Sequence, residues 1–84
     1  MITAVDVNAT FNVIGEIKPI YVRIEDIHHA IHTCKIKSIK DIRNERYTGM
    51  DSILFFCVIE LNNELLEIKL RYYVNSHKWS IIKY

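Results

Sequence analysis

Glycine and proline are scarce in this chain, with two glycines and one proline among 84 residues. Disordered segments and flexible linkers are rich in such residues and poor in apolar ones, whereas 50% of the residues here are hydrophobic. The composition therefore excludes a disordered linker. A chain of this length buries roughly 60% of its unfolded surface, enough for one modest core. We expect residues 1–84 to form a single β-barrel-like domain.

Long apolar runs are also missing. No segment approaches the ~18 uninterrupted apolar residues of a membrane-spanning helix. The opening residues MITAVDVNATF include Asp6 and have neither a basic start nor an apolar central region, so they are not expected to act as a signal peptide. We predict a cytoplasmic protein with no membrane partner.

Cysteine is sparse, and the two residues present, Cys34 and Cys57, lie far apart and outside any CxxC spacing. Because cytoplasmic thiols stay reduced, we expect both to be buried, inert side chains. A disulfide or a reactive thiol is the alternative.

An excess of one charge sign is absent as well: eleven basic residues face ten acidic ones, for a net charge of +1. Dedicated nucleic-acid-binding domains usually carry a larger basic excess. The global charge therefore argues against that role.

The clearest pattern that is present runs from Ile53 to Val74. A two-residue turn at Asn62 and Asn63, which tolerate positive φ, brings apolar residues into register on one face. The predicted pairs are Ile59 with Leu66, Cys57 with Ile68, Phe55 with Leu70, and Ile53 with Tyr72. This pattern predicts an antiparallel hairpin.

A first hairpin is predicted from the strict alternation of apolar and polar residues between Val5 and Val13. A turn at Gly15-Glu16 pairs Phe11 with Ile20, Ala9 with Val22, and Val7 with Ile24. The same register leaves Tyr21, Arg23 and Glu25 outside. Pro19 cannot donate a ladder hydrogen bond, so it indicates an edge position or a bulge.

A third hairpin is predicted around a turn at Ser76-His77, with Val74 opposite Trp79 and Tyr72 opposite Ile81. In this register Tyr72 faces the same side as it does in the central hairpin. Agreement between separate registers is stronger evidence than propensity alone.

Residues 24–42 are the ambiguous part, because the spacing of their isoleucines also fits an amphipathic helix. Isoleucine favours strands, so we prefer a turn near Asp26–Ala30 and then a long strand from about Ile31 to Arg46. A β-bulge between Ile36 and Ile39 would absorb the slip in phase. Thr48–Asp51 forms the next connection.

The predicted fold is all-β: a small antiparallel meander of five to six strands forming a partly open barrel or a strongly bent sheet. Src-homology-3-like and OB-like barrels are the nearest named architectures. The chain also resembles a group of short uncharacterised proteins of low-GC Gram-positive bacteria, through Gly15, Pro19 and the closing run LRYYVNSHKWSII with Tyr72 and Trp79. The resemblance implies a small bacterial β protein and carries no activity or functional residue.

One apolar stripe lies outside the expected core, since Leu54, Phe56 and Val58 alternate with the core residues of their strand. A strand that is apolar on both faces must be covered by the chain itself or by a partner. With Lys69 and Arg71 beside it, this stripe predicts a surface for a protein partner or for self-association.

Two alternatives use other residues. Nucleic acid is the first, because aromatic side chains beside basic ones on a sheet are typical of single-strand binding, and one region is locally basic through Lys35, Lys37, Lys40, Arg43 and Arg46. Metal is the second and weaker one, through His28, His32 and Cys34, whose spacing matches no known zinc pattern. No catalytic motif is present, so we expect neither an enzyme nor a cofactor.

Overall fold

The computed structural model describes residues 3–83 and, within them, all side chains except those of Tyr47 and Lys83. These residues form seven strands and no helix, so the all-β prediction is confirmed and the helical alternative for residues 24–42 is wrong. The strands are β1 (Thr3–Val5), β2 (Val7–Phe11), β3 (Ile17–Glu25), β4 (Ile31–Tyr47), β5 (Met50–Leu61), β6 (Glu64–Tyr73) and β7 (Lys78–Lys83).

All neighbouring strands are antiparallel, in the order β1-β7-β6-β5-β4-β3-β2. β1 and β2 are consecutive in the chain but lie at opposite ends of this order, and only Asp6 separates them. The Asp6 carbonyl accepts a hydrogen bond of 3.0 Å from the Arg23 N–H. The sheet therefore curls until its two edges meet at Asp6. One more strand is present than predicted because the N-terminal run is divided between the two edges.

The curl depends on β4, which has 17 residues. The first five residues of β4, from Ile31 to Lys35, pair with β3, and from Ile36 onward β4 pairs with β5. Its register with β5 shifts between Ile36 and Ser38 and again between Ile39 and Asp41. The predicted bulge is thus confirmed as a double irregularity, which bends and twists the strand.

The central hairpin β5–β6 has the predicted register in all four apolar pairs. Asn62 and Asn63 have φ values of 52° and 63°, as a type I′ turn requires. The connection before it is tighter than predicted. Thr48 and Gly49, with φ of 50° and 79°, form the whole turn, and Met50 already pairs with Tyr47.

The predicted register of the first hairpin is wrong, because Val7 pairs with Val22 and Phe11 pairs with Ile17. The Asn12 side-chain carbonyl accepts hydrogen bonds from the N–H groups of Ile14 (3.1 Å) and Glu16 (2.9 Å). This clamp shifts the loop toward the N-terminus and places Gly15 (φ 85°) at its end, as in a three-residue loop.

Pro19 and Phe11 show the consequences of that shift. The ladder slips between Asn8 and Ala9, and Ala9 pairs with Pro19, so the predicted bulge at the proline is confirmed. Phe11 is 62% exposed instead of lying in the core. Tyr21, Arg23 and Glu25 lie outside as predicted.

The predicted register of the third hairpin is also wrong. Tyr72 pairs with Trp79 and Leu70 pairs with Ile81. β6 ends at Tyr73, because the Tyr73 carbonyl accepts the His77 N–H at 2.9 Å and so closes a longer loop. The slip covers two residues, so Tyr72, Trp79 and Ile81 still face the core.

The core lies inside the curl, where β5 and β6 provide its centre and β3 and β7 close it on either side. The Trp79 ring packs 4.9 Å from the ring of Tyr72 and 5.7 Å from that of Phe55, measured between centroids. The buried cluster contains Ile17, Val22, Ile24, Cys34, Ile36, Phe55, Cys57, Ile59, Ile68, Leu70, Tyr72, Trp79 and Ile81.

Leu70→Ala should destabilise the protein by about 2–5 kcal/mol, because Leu70 is fully buried and its removal leaves a cavity. Leu65→Ala is the matched control on the same strand. Leu65 is 67% exposed, so its loss should cost no more than about 0.5 kcal/mol. Urea unfolding measures both values. Equal small effects would contradict the core position of Leu70.

Candidate functional site

The residues predicted to bind a partner lie together on the outer face, which we define as the side of β4, β5 and β6 that points away from the core. Leu54 lies between Arg43 and Arg71 in the ladder. Phe56 lies between Asp41 and Lys69, and Val58 lies between Ser38 and Glu67. The register of the central hairpin thus places Leu54, Phe56, Val58, Lys69 and Arg71 on one continuous surface.

Phe56 is held between two cations at the centre of this face. The guanidinium carbon of Arg43 lies 4.9 Å from the ring centroid of Phe56, and the Lys69 ammonium lies 5.3 Å from it. Each such cation–π contact is worth about 0.5–1 kcal/mol at an exposed site. The ring is half-buried, so part of it stays open to a partner.

Leu54 is covered by the chain itself, with 7% of its surface exposed. Arg43 and Arg71 flank it in the ladder, and the methylene stems of such side chains can lie over apolar surface while the charge stays in solvent. The Arg71 guanidinium binds Glu45 at 2.5 Å. Its Nε is buried without a hydrogen-bond partner within the described chain. The apolar area that a partner could reach therefore centres on Phe56 and Val58.

Beside Phe56 the outer face contains a cleft of about 330 Å³. Its lining residues are Lys40, Asp41, Phe56, Cys57, Glu67, Ile68 and Lys69. Lys40 and Glu67 form an ion pair of 2.5 Å, and the hydrogen bond from Lys40 lowers the pKa of the Glu67 carboxyl. The cleft thus combines an aromatic wall with charges of both signs.

The five basic residues of β4 do not form one cationic surface. Four of them are in ion pairs: Lys37 with Glu60 (3.6 Å), Lys40 with Glu67 (2.5 Å), Arg43 with Asp41 (3.1 Å) and Arg46 with Asp51 (3.7 Å). Lys35 is exposed and has no ion pair within the described residues. Carboxylates from β4, β5 and β6 therefore lie beside four of the five basic residues.

The predicted turn at Asp26–Ala30 is confirmed, and its centre is the Asp26 carboxylate. One oxygen accepts hydrogen bonds from the N–H groups of His28 (2.8 Å) and Ala30 (3.0 Å), while the other lies 2.7 Å from Nε2 of His32. The His32 hydrogen bond, followed by those to the backbone, lowers the pKa of Asp26 to about 2. The histidine-rich segment is thus organised around a carboxylate.

The three candidate metal ligands are not brought together. His28 is exposed on the turn, His32 is bonded to Asp26, and Cys34 is buried in the core. No group of three or more His, Cys, Asp or Glu side chains is arranged for a metal ion in the part of the chain that the structure describes.

Two further features were not apparent from the sequence. A groove of about 1030 Å³ lies between β1 and β3, and we call it the seam groove. It depends on the pairing of β1 with β7, which no local pattern reveals. The second feature is the β2–β3 loop, where Val13 and Ile14 are 104% and 77% exposed. The sequence signal that could have located this loop is Asn12, because its side chain accepts hydrogen bonds from the loop backbone.

Comparison of the chain with protein-family models, curated proteins and solved structures finds no match. Among the described residues there is no helix long and apolar enough to cross a membrane.

The Asp26 clamp should give a specific pH dependence. The folded pKa of about 2 lies below the ordinary value of 3.8, so its stabilisation is fully present above pH 3.8 and is lost as the pH falls through 2. The unfolding midpoint of Asp26→Asn should therefore lie below that of the wild type at neutral pH and converge with it near pH 2. Titration of the Asp26 carboxyl by NMR checks the cause, and a midpoint near 3.8 would contradict it.

The cysteines should be inert in the folded protein. Both are free and buried, and burial raises the pKa of Cys57 to about 12 and also raises that of Cys34. Because the thiolate is the reactive form, neither should react with a chromogenic disulfide reagent under native conditions. Both should react in urea. Fast native labelling of either cysteine would overturn this assignment.

Proposed function

We propose that this protein is a small, non-catalytic binding module of the cytoplasm that associates through its outer face, in the first instance with a second copy of itself. The observation that carries the proposal is the half-exposed Phe56 ring between Arg43 and Lys69, with charged residues around it. An aromatic and arginine centre within a polar rim is the usual anatomy of a protein interface.

The charges of the outer face favour a second copy of the chain as the partner that binds there. Its cations and carboxylates are interspersed on neighbouring strands, as the pairs Lys40–Glu67 and Arg71–Glu45 show. A two-fold axis places the same mixed pattern opposite itself, so exposed pairs can exchange partners across the interface. Ion pairs at the surface are worth little individually, so such an exchange costs little.

Single-stranded nucleic acid is the alternative occupant. The arrangement of Arg43, Phe56 and Lys69 also resembles a platform on which a base could stack. Its support is weaker, because the carboxylates of Asp41, Glu60 and Glu67 lie beside the cations that phosphates would need.

The cytoplasmic location is supported by Cys34 and Cys57, which are both free and buried. Such cysteines are typical of a reducing compartment. The non-catalytic assignment is supported by the outer-face carboxylates Asp41, Glu45 and Glu67, each of which is paired with a lysine or arginine. Such ion pairs suit contact between two protein surfaces.

Phe56→Glu should convert a dimer into a monomer while the fold is retained. The new carboxylate would lie between Arg43 and Lys69, which can neutralise it in the monomer, whereas the apolar centre of the interface is lost. We expect dimer dissociation to become at least about 30-fold more favourable, as for a hot-spot residue worth about 2 kcal/mol. Light scattering over a concentration series measures the change.

The control for this experiment is Val13→Glu, which adds the same charge at a fully exposed position in the β2–β3 loop and should leave association unchanged. A wild-type protein that stays monomeric at all concentrations would refute self-association. Binding of a dT oligonucleotide that weakens steeply with salt would favour the nucleic-acid alternative instead.

A further inference from the structure

The seam groove opens where the two edges of the sheet separate. At Asp6 the edges are joined by the hydrogen bond from the Arg23 N–H. On one side of this point β1 turns to pair with β7, and on the other the end of β3 pairs with β4. The groove of about 1030 Å³ lies between these two strands.

Backbone groups of Glu25 point into the groove from the β3 side. The Asp26 N–H donates to the Ala30 carbonyl at 2.9 Å, so Asp26 bonds toward the β4 side of the hairpin. Hydrogen-bonding direction alternates along an antiparallel strand, so Glu25 and Arg23 point to the opposite side. The bond from the Arg23 N–H to Asp6 confirms that direction independently.

Backbone groups of Ala4 point into the groove from the β1 side. The Asp6 carbonyl faces β3, and Ala4 lies two residues earlier in the same extended run, so its groups face the same way. By the same alternation Thr3 and Val5 face β7, where Ile81 and Trp79 lie opposite them. The two walls thus present strand edges toward each other.

The floor of the groove is apolar and its rim is charged. Val5, Ile24, Trp79 and Ile81 contribute to the lining beneath the two edges. The rim carboxylates are already matched with bases: Asp6 with Arg23, Glu25 with His29, and Asp26 with His32. Lys78 also lines the groove, is exposed, and has no carboxylate within ion-pair distance in the described chain.

We propose that the seam groove binds an extended peptide segment of a partner protein as an added β-strand between Ala4 and Glu25. Strand addition uses unpaired backbone groups for affinity and alternate side chains for specificity. Apolar side chains of the peptide face Val5 and Trp79, and an acidic side chain or terminal carboxylate meets Lys78. This site is separate from the outer face and does not rest on self-association there.

The test uses the synthetic peptide acetyl-Thr-Val-Thr-Val-Glu-amide as the probe, with the wild-type protein. Trp79 is the only tryptophan in the chain and lines the groove, so its fluorescence reports occupancy. Amide shifts in NMR spectra should change most at Ala4 and Glu25. The matched control peptide carries N-methyl groups on both valines and should bind at least 10-fold more weakly, because alternate N–H groups of a strand face the same side and the peptide has lost its donors toward one wall of the groove.

Two variants of the protein separate this site from general adhesion. Lys78→Glu should weaken binding of the probe by about 5- to 10-fold, whereas Lys18→Glu, the same charge change at the far end of β3, should leave binding within twofold. No binding at millimolar peptide would overturn the proposal. Equal binding of the N-methylated peptide, or shifts confined to Phe56 and Lys69, would overturn it as well.

Discussion

The constraint on which the rest of this structure depends is that β5 is apolar on both of its faces. The inner row, with Phe55 and Cys57, forms the centre of the core. The outer row, with Leu54 and Phe56, must be covered by something else. Neighbouring strands place long cationic side chains beside that row, and two of these, Arg43 and Arg71, are themselves paired with carboxylates. The charge pattern of the outer face is thus a consequence of how the core was built.

The basic stretch in β4 has different surroundings in the fold from those that the sequence suggests. In the sequence, this stretch has a local excess of positive charge. In three dimensions, β5 and β6 bring Glu60 and Glu67 next to Lys37 and Lys40, so negative charge lies beside two of the cations that a phosphate chain would need. Mixed charge around an aromatic centre favours a surface that recognises another mixed surface. The geometry therefore supports protein contact more strongly than nucleic-acid contact.

The sequence was most informative where pairing is local and the turn residues are unambiguous. At Asn62-Asn63 one register places every apolar partner on the core face, so the central hairpin and the neighbours of Phe56 on β6 could be predicted. Two other registers failed because side-chain and backbone bonds of the loops, at Asn12 and at Tyr73, moved the turn. No local pattern could predict that the sheet closes at Asp6, because closure depends on the pairing of β1 with β7, which are remote in the chain. The seam groove could not be predicted for the same reason.

The pairing of β1 with β7 also bears on how this chain is made. Thr3 pairs with Ile81 across the ladder, so β1 cannot dock until β7 has been synthesised. Contacts between such distant residues form slowly, because a long loop must close before they stabilise anything. The hairpins β2–β3 and β5–β6 join strands that are adjacent in the chain and can form early, whereas β1 has no strand partner until β7 is made.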